Sequence, residues 1–230
     1  MDHPLNNPVW HALTSGPHAT VAVGRGMARH YPRGMAPFSA IAEPDAGAYA
    51  DLARDLPSGC EARLFRPSPG EPLPPGWAEI SVRAILQMVC DASRLAASPE
   101  PDEATTLGEA DIDDMLALAE ATEPGPLGRH ALALGRYLGI RRGGRLVAMA
   151  GERFQLAGYT ELSGICTAPE ARGQGLAHAL TVALARAVLA RGEIPFLHVF
   201  PGNAPAATLY QRLGFRTRRE LFVVWRRPTA

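Results

Sequence analysis

At 230 residues the chain has room for one large domain or two small ones, and its 47% hydrophobic and 20% charged content suits a packed core rather than a disordered tail. Lys plus Arg and Asp plus Glu each number 23, so no overall basic field exists to hold a nucleic-acid backbone or an anionic membrane, and neither partner is expected. All 23 basic residues are Arg, which excludes every mechanism needing a lysine amine: the P-loop lysine, the kinase lysine and the Schiff-base lysine of pyridoxal enzymes.

The chain opens on MDHPLNNPVW, which has no apolar signal core, and no stretch reaches the roughly 18 apolar residues of a membrane span. Cys60, Cys90 and Cys166 are odd in number and lack CxxC spacing, which fits a reducing compartment and neither a disulfide framework nor a zinc site. The expectation is a soluble, unexported, cytoplasmic protein. In chain order, Asn7–Leu13 reads as a short helix, Ala19–Val23 as a strand, Ala48–Leu56 as a helix and Ala78–Cys90 as one or two strands, with the Pro-rich run Arg66–Gly76 as a surface loop between them. The polar stretch 98–103 has linker composition and divides an N-terminal α/β domain, 1–97, from a second domain, 104–230.

Past the linker, Asp111–Ala121 has helical spacing and is stopped by Glu123-Pro-Gly-Pro126. Tyr137–Ile140 and Arg145–Phe154 read as a hairpin around Arg-Arg-Gly-Gly, followed by a strand at Tyr159–Thr167. Gly173–Arg191 is a helix with Gly192 as its C′ residue. Phe196–Phe200 is a strand, Ala204–Leu213 a helix stopped by Gly214, and Phe215–Trp225 a closing pair of strands.

The most informative segment is Ile165-Cys-Thr-Ala-Pro-Glu-Ala-Arg172-Gly-Gln-Gly175-Leu-Ala177, a strand running through an Arg- and Gly-rich turn into a long helix. Such a helix start presents unpaired N–H groups and the positive end of the dipole, and its glycines let a pyrophosphate approach the backbone. Neither GxxxxGK[ST] nor GxGxxG is completed, so the Walker and Rossmann readings fail. The segment resembles the pyrophosphate loop R/Q-x-x-G-x-G/A of the GNAT superfamily of acyl-CoA-dependent N-acyltransferases, through Arg172, Gly173, Gln174, Gly175, Leu176 and Ala177. Downstream, Asn203 and Tyr210 ahead of Leu213-Gly-Phe215 resemble that family's cofactor-contacting Asn and its Tyr. The strands carrying Gly151-Glu152 and Tyr159-Thr-Glu161, before a Cys-Thr-x-Pro turn, resemble the subgroup that includes glycine N-acyltransferase-like proteins. The match covers residues 104–230; the first hundred lack a second such loop.

The resemblance implies an α+β fold, a mixed, mostly antiparallel GNAT-like sheet flanked by helices, preceded by a smaller α/β or degenerate GNAT-like domain. Its fourth and fifth strands would splay to admit the pantetheine arm of acetyl-CoA, the acyl donor. The backbone of Ile165, Cys166 and Thr167 would pair with pantetheine and polarise the thioester carbonyl. Residues 172–230 hold nine Arg against Glu193 and Glu220, while 95–125 hold nine acids and no Arg; this asymmetry either steers an anionic cofactor or is two solvated faces. The implied reaction is direct acyl transfer to a primary amine, a small molecule or a peptide N-terminus, with a homodimer as an admissible assembly. Tyr210 is the expected acid and Glu161 the expected base, with Glu152 as its rival. Cys166 reads as a buried hydrophobe rather than a nucleophile, Asn203 as a helix cap compatible with cofactor contact, and His178 and His198 as surface and strand residues. Trp10 and His11 read as packing residues that could instead line a substrate pocket. The competing reading is a non-catalytic acyl-CoA sensor or scaffold.

Overall fold

The computed structural model describes residues 3–98 and 103–229, so most of the expected linker lies outside the described residues. In chain order the elements are α1 (Pro8–Thr14), β1 (Ala28–His30), β2 (Ser39–Ile41), α2 (Ala46–Asp55), β3 (Ala62–Arg66), β4 (Trp77–Val89) and β5 (Ala104–Thr106). There follow α3 (Ile112–Thr122), β6 (Tyr137–Arg142), β7 (Arg145–Leu156), β8 (Tyr159–Thr167), α4 (Leu176–Ala190), β9 (Ile194–Val199), α5 (Ala204–Arg212) and β10 (Arg216–Pro228). Local chemistry sets most boundaries. Pro8 opens α1, and Asp45 caps α2 by accepting from the Ala48 N–H at 2.8 Å. Gly143 and Gly144, at φ of 55° and 82°, form the two-residue turn joining β6 to β7.

Eight strands make one sheet in the order β3-β10-β4-β9-β8-β7-β6-β5, antiparallel throughout except for the β8–β9 pair. This is the mixed, mostly antiparallel α+β architecture expected. Strands from both sides of the 98–103 stretch share it: β4 is hydrogen-bonded on one side to β9 and on the other to β10 along nearly its whole length. The sheet therefore does not break where the linker composition lies. The large core packs α3 and α4 against β6–β9 through residues such as Met115, Leu180, Val182 and Met149. The opposite face carries α1, with Val9 and Leu13 in one cluster with Phe65, Phe154, Phe196 and Val223. Leu64 and Val224, which alternate with Phe65 and Val223, pack instead with Tyr49 and Leu52 of α2.

Strands β1, β2, β3 and β5 were not expected, and three of the expected elements take another form. Ala19–Val23 is no strand: Pro17 starts a single 3-10 turn over Pro17–Thr20, and only Val23 makes a bridge, to His30. Phe215–Trp225 is not a pair of strands: from Arg216 on it belongs to one long strand, β10, whose irregularities at Thr217/Arg219 and Trp225/Arg226 are bulges rather than turns. Helix α4 starts at Leu176 rather than Gly173, because Gly173 and Gly175 have φ of 77° and 75°.

Candidate active site

The parallel β8–β9 ladder runs from Tyr159–Ile194 to Glu161–Phe196 and goes no further. Beyond it β9 stays with β4 as far as Val199 and β8 stays with β7 as far as Thr167, so the two strands diverge and Leu162–Thr167 has no strand partner on that side. Along this edge β8 also bulges. Gly164 and Ile165 together oppose Ala150, between the pairs Gly151–Ser163 and Met149–Cys166. Gly164 has φ of 63°, and a Cβ there would come within 3.2 Å of the Tyr137 ring, so the bulge depends on glycine.

Beside this edge lies a cavity of about 340 Å³, walled by Ser163, Gly164 and Ile165 of β8, by Tyr210 of α5 and by His198 and Phe200. Its far wall comes from the first hundred residues and β10: Phe38, Arg63, Phe65, Arg83, Val223 and Trp225. Pro124, Gly125 and Pro126, just after α3, close one side. A second cavity of about 420 Å³ adjoins it and shares Phe38, Arg63 and Pro126.

Tyr210 is held by the way α5 ends. The Phe215 N–H donates to the Tyr210 carbonyl at 2.9 Å and the Gly214 N–H to that of Gln211 at 3.0 Å, with Gly214 at φ of 97°. This is a Schellman motif, and its hydrophobic contact is the Tyr210–Phe215 ring pair, 6.2 Å between centroids. A Cβ on Gly214 would meet the Arg94 carbonyl at 2.0 Å. The Leu213-Gly-Phe215 ending thus orients the tyrosine. Burial, with a smaller push from Cys166, raises its hydroxyl to about 12, so it keeps its proton at neutral pH.

Glu161 is fully buried and is not part of the cavity wall. Its carboxylate accepts from Arg153 Nε and Nη2 at 2.7 and 2.8 Å and from His198 Nδ1 at 2.6 Å. Burial alone would push this carboxyl up; the adjoining Arg153 charge, with the hydrogen bonds from Arg153 and His198, outweighs it and holds the group down to about 2. His198 is oriented in turn. Arg218 donates to Gln87 Oε1 and Gln87 Nε2 donates to the Leu5 carbonyl, so the same Nε2 donates to His198 Nε2 at 3.1 Å and leaves the ring proton on Nδ1. The rival, Glu152, is buried elsewhere and paired with Arg191 at 3.1 Å. Neither carboxylate reaches the cavity. Burial raises the Cys166 thiol, and the side chain sits in the core as a hydrophobe would.

Across the mouth of the splayed strands, Arg172 donates from Nε to the Thr167 carbonyl at 3.3 Å, tying the loop to the end of β8. Gly173, Gln174 and Gly175 are exposed, no side chain caps the start of α4, and a Cβ on either glycine would meet nothing within 4 Å. Leu176 is buried as the helix anchor and Ala177 half-buried. Asn203 caps α5, its Oδ1 accepting from the Ala206 N–H at 3.3 Å, and stands exposed. Thr167 Oγ1 is buried with no hydrogen-bond partner. An open glycine cradle, an uncapped helix start, an unpaired strand edge and an orphaned hydroxyl together fit the phosphates and amides of an acyl-CoA.

A protein of the GNAT acetyltransferase family from Novosphingobium aromaticivorans DSM 12444 is 41% identical over 100% of both chains, and its crystal structure superposes with a TM-score of 0.89. The chain belongs to the GNAT family. Within this GNAT protein, the family model described as FR47-like protein matches residues 137–224, from β6 into β10. The fold also recurs in GCN5-related N-acetyltransferases from Kribbella flavida (18% identity, 96% of this chain and 93% of the other, TM-score 0.60) and Sphaerobacter thermophilus (16%, 88% and 77%, 0.52). No curated protein matches. Among the described residues no cluster could hold a metal ion and no helix is long and apolar enough to cross a membrane. Sequence reasoning about this GNAT chain missed Arg63, Arg83 and Arg153, because their meeting in one cavity depends on strand order, which no local motif announces.

Proposed function

We propose that the protein transfers an acyl group, most simply acetyl, from acetyl-CoA to a primary amine by direct attack in a ternary complex. The observation that carries this reading is that the bulged, unpaired edge of β8 and Tyr210 border the same cavity. The bound thioester would supply an activated acyl carbon. Backbone N–H groups at Ile165–Thr167 would orient that carbonyl, Arg172–Ala177 would hold the pyrophosphate at the helix start, and Asn203 would contact the cofactor beside them. A raised thiol in the core supports direct attack over a covalent Cys166 intermediate. Tyr210, at about 12, lies well above an ordinary thiol near 8.5, so full proton transfer to the departing sulfur is uphill. Its hydroxyl serves first as a hydrogen-bond donor to that sulfur. Glu161 acts by fixing Arg153 and His198 rather than by taking the amine's proton. The Gly151-Glu152 and Tyr159-Thr-Glu161 strands keep the likeness to glycine N-acyltransferase-like proteins as the finer family reading.

Tyr210→Phe keeps the ring packing and removes only the donor. It should retain CoA affinity by calorimetry, with one site per chain, while turnover falls roughly 10²–10³-fold. CoA binding with no transfer to any amine would instead favour the sensor reading.

A further inference from the structure

The chain carries 23 acidic residues, yet the cavity wall beside Tyr210 contains none, and it holds three guanidinium groups. These three differ in how they are neutralised. Arg153 is matched by Glu161. Arg63 has only Glu61, 3.8 Å away with a side chain 40% exposed and facing the adjoining cavity, and Arg83 has no carboxylate partner among the described residues. Both are pre-positioned by aromatic faces, Arg63 Cζ 4.0 Å from the Trp225 ring centroid and Arg83 Cζ 4.3 Å from that of Phe200. Stacking holds a guanidinium by its flat face and leaves its N–H edge for a planar anion. The strands set the pair: Arg63 on β3 lies opposite Trp225, and Arg83 on β4 lies opposite Val223, one on each side of β10. No residue of the 172–177 loop lines this cavity, so these cations are separate from the pyrophosphate cradle.

Resting on the acyltransferase reading above, we propose that the acceptor is a small amine that also bears a carboxylate, a free amino acid with an aromatic or apolar body, held by Arg63 and Arg83 while its amine faces β8 and Tyr210. The body is argued from Phe38, Phe65, Phe200 and Trp225, which put four aromatic rings on the remaining wall. The same charges explain how the amine loses its proton without a carboxylate base in reach. A cationic wall disfavours a third positive charge, so the acceptor sits in the site as neutral amine and its proton leaves to water. The attacking nitrogen then forms the N–C bond as the C–S bond breaks, and the second nitrogen proton passes to the departing CoA thiolate, leaving an N-acyl amino acid and free CoA thiol.

The test uses the full chain with acetyl-CoA and three matched acceptors: phenylalanine, phenylalaninamide and phenethylamine. Phenylalanine should exceed both neutral-tailed amines in kcat/KM by about ten- to hundredfold, the effect of a charge-assisted carboxylate contact. In Arg83→Gln, and again in Arg63→Gln, the ratio of phenylalanine to phenylalaninamide should fall by a similar factor. A ratio near one in the parent protein, or a ratio untouched in both variants, overturns the proposal while leaving acyl transfer intact. A second measurement needs no turnover: with CoA present, N-acetylphenylalanine should bind more tightly than N-acetylphenylalaninamide by calorimetry, and Arg83→Gln should erase the difference. Carboxylate-selective binding without transfer to any amine would overturn the catalytic reading and keep the anion site; equal binding of the two overturns the anion site itself.

Discussion

Glu161 and Arg153 are buried together, and removing one charge strands the other. Glu161→Gln should therefore cost about 3–5 kcal/mol, as an uncompensated buried guanidinium does, and lower Tm by roughly 10 °C for a chain of this length. Calorimetric unfolding checks this; a variant with unchanged Tm and a turnover loss that shrinks as pH rises would restore Glu161 as the base. The pair also sets an acid limit. The carboxyl lies near 2 in the fold against 4.5 ordinarily, so its contribution is fully present above 4.5 and is lost as pH falls from there towards 2. Denaturant midpoints across that window should drop in the parent and stay flatter in Glu161→Gln. At this scale the sequence identified the residue but not its partner. A carboxylate among Tyr, Leu and Ile announces a committed group, whereas Arg153 reaches it across two strands whose bulges no periodicity reveals.

The turn into α4 and the turn out of α5 illustrate what was legible in elements. Both are written in glycine: Gly173 and Gly175 before one helix, Gly214 after the other, each at positive φ. Gly192 ends α4 in the same way as Gly214 ends α5, with Glu193 N–H donating to the Val188 carbonyl at 3.3 Å. Gly175→Glu should leave folding nearly intact, because its Cβ meets no protein atom within 4 Å and the φ of 75° costs a non-glycine residue only about 1–2 kcal/mol. It should abolish CoA binding by calorimetry, since the new carboxylate occupies the approach and repels phosphate. Short strands were the illegible elements. β1, β2 and β5 are three residues each, and β3 is only five, so their apolar pattern is too brief to stand out from a loop. The run at Ala19–Val23 failed for the converse reason: its side chains suit a strand, but Pro17 and the want of a neighbouring ladder decide otherwise.

At the scale of the whole molecule, β4 sits between β9 and β10, so the sheet that shapes the acceptor cavity is completed by residues ahead of the linker. The full chain should unfold in a single transition with matching calorimetric and van't Hoff enthalpies, and residues 104–230 expressed alone should lack the sharp near-UV signal of a packed core. Two resolved transitions would mean that the segments before and after 98–103 fold independently. Composition marked that stretch as a boundary because it reads polarity along the chain, while hydrogen bonding between strands far apart in sequence is silent in composition.

The alternation along β3, β4 and β10 carries a practical corollary. Side chains facing the cavity, such as Arg63, Arg83, Val223 and Trp225, take turns with neighbours such as Leu64, Val82, Val224 and Phe222 that belong to the α2 cluster on the reverse of the same strands. Of these alternate letters, one set serves foldedness alone, and the other is shared between the cavity and the cluster under α1. Acceptor preference can be rewritten at Arg63 and Arg83, by selection or by an engineer, while Phe65 and Val223, which also pack with Val9 and Leu13, and the letters between keep the strands in place.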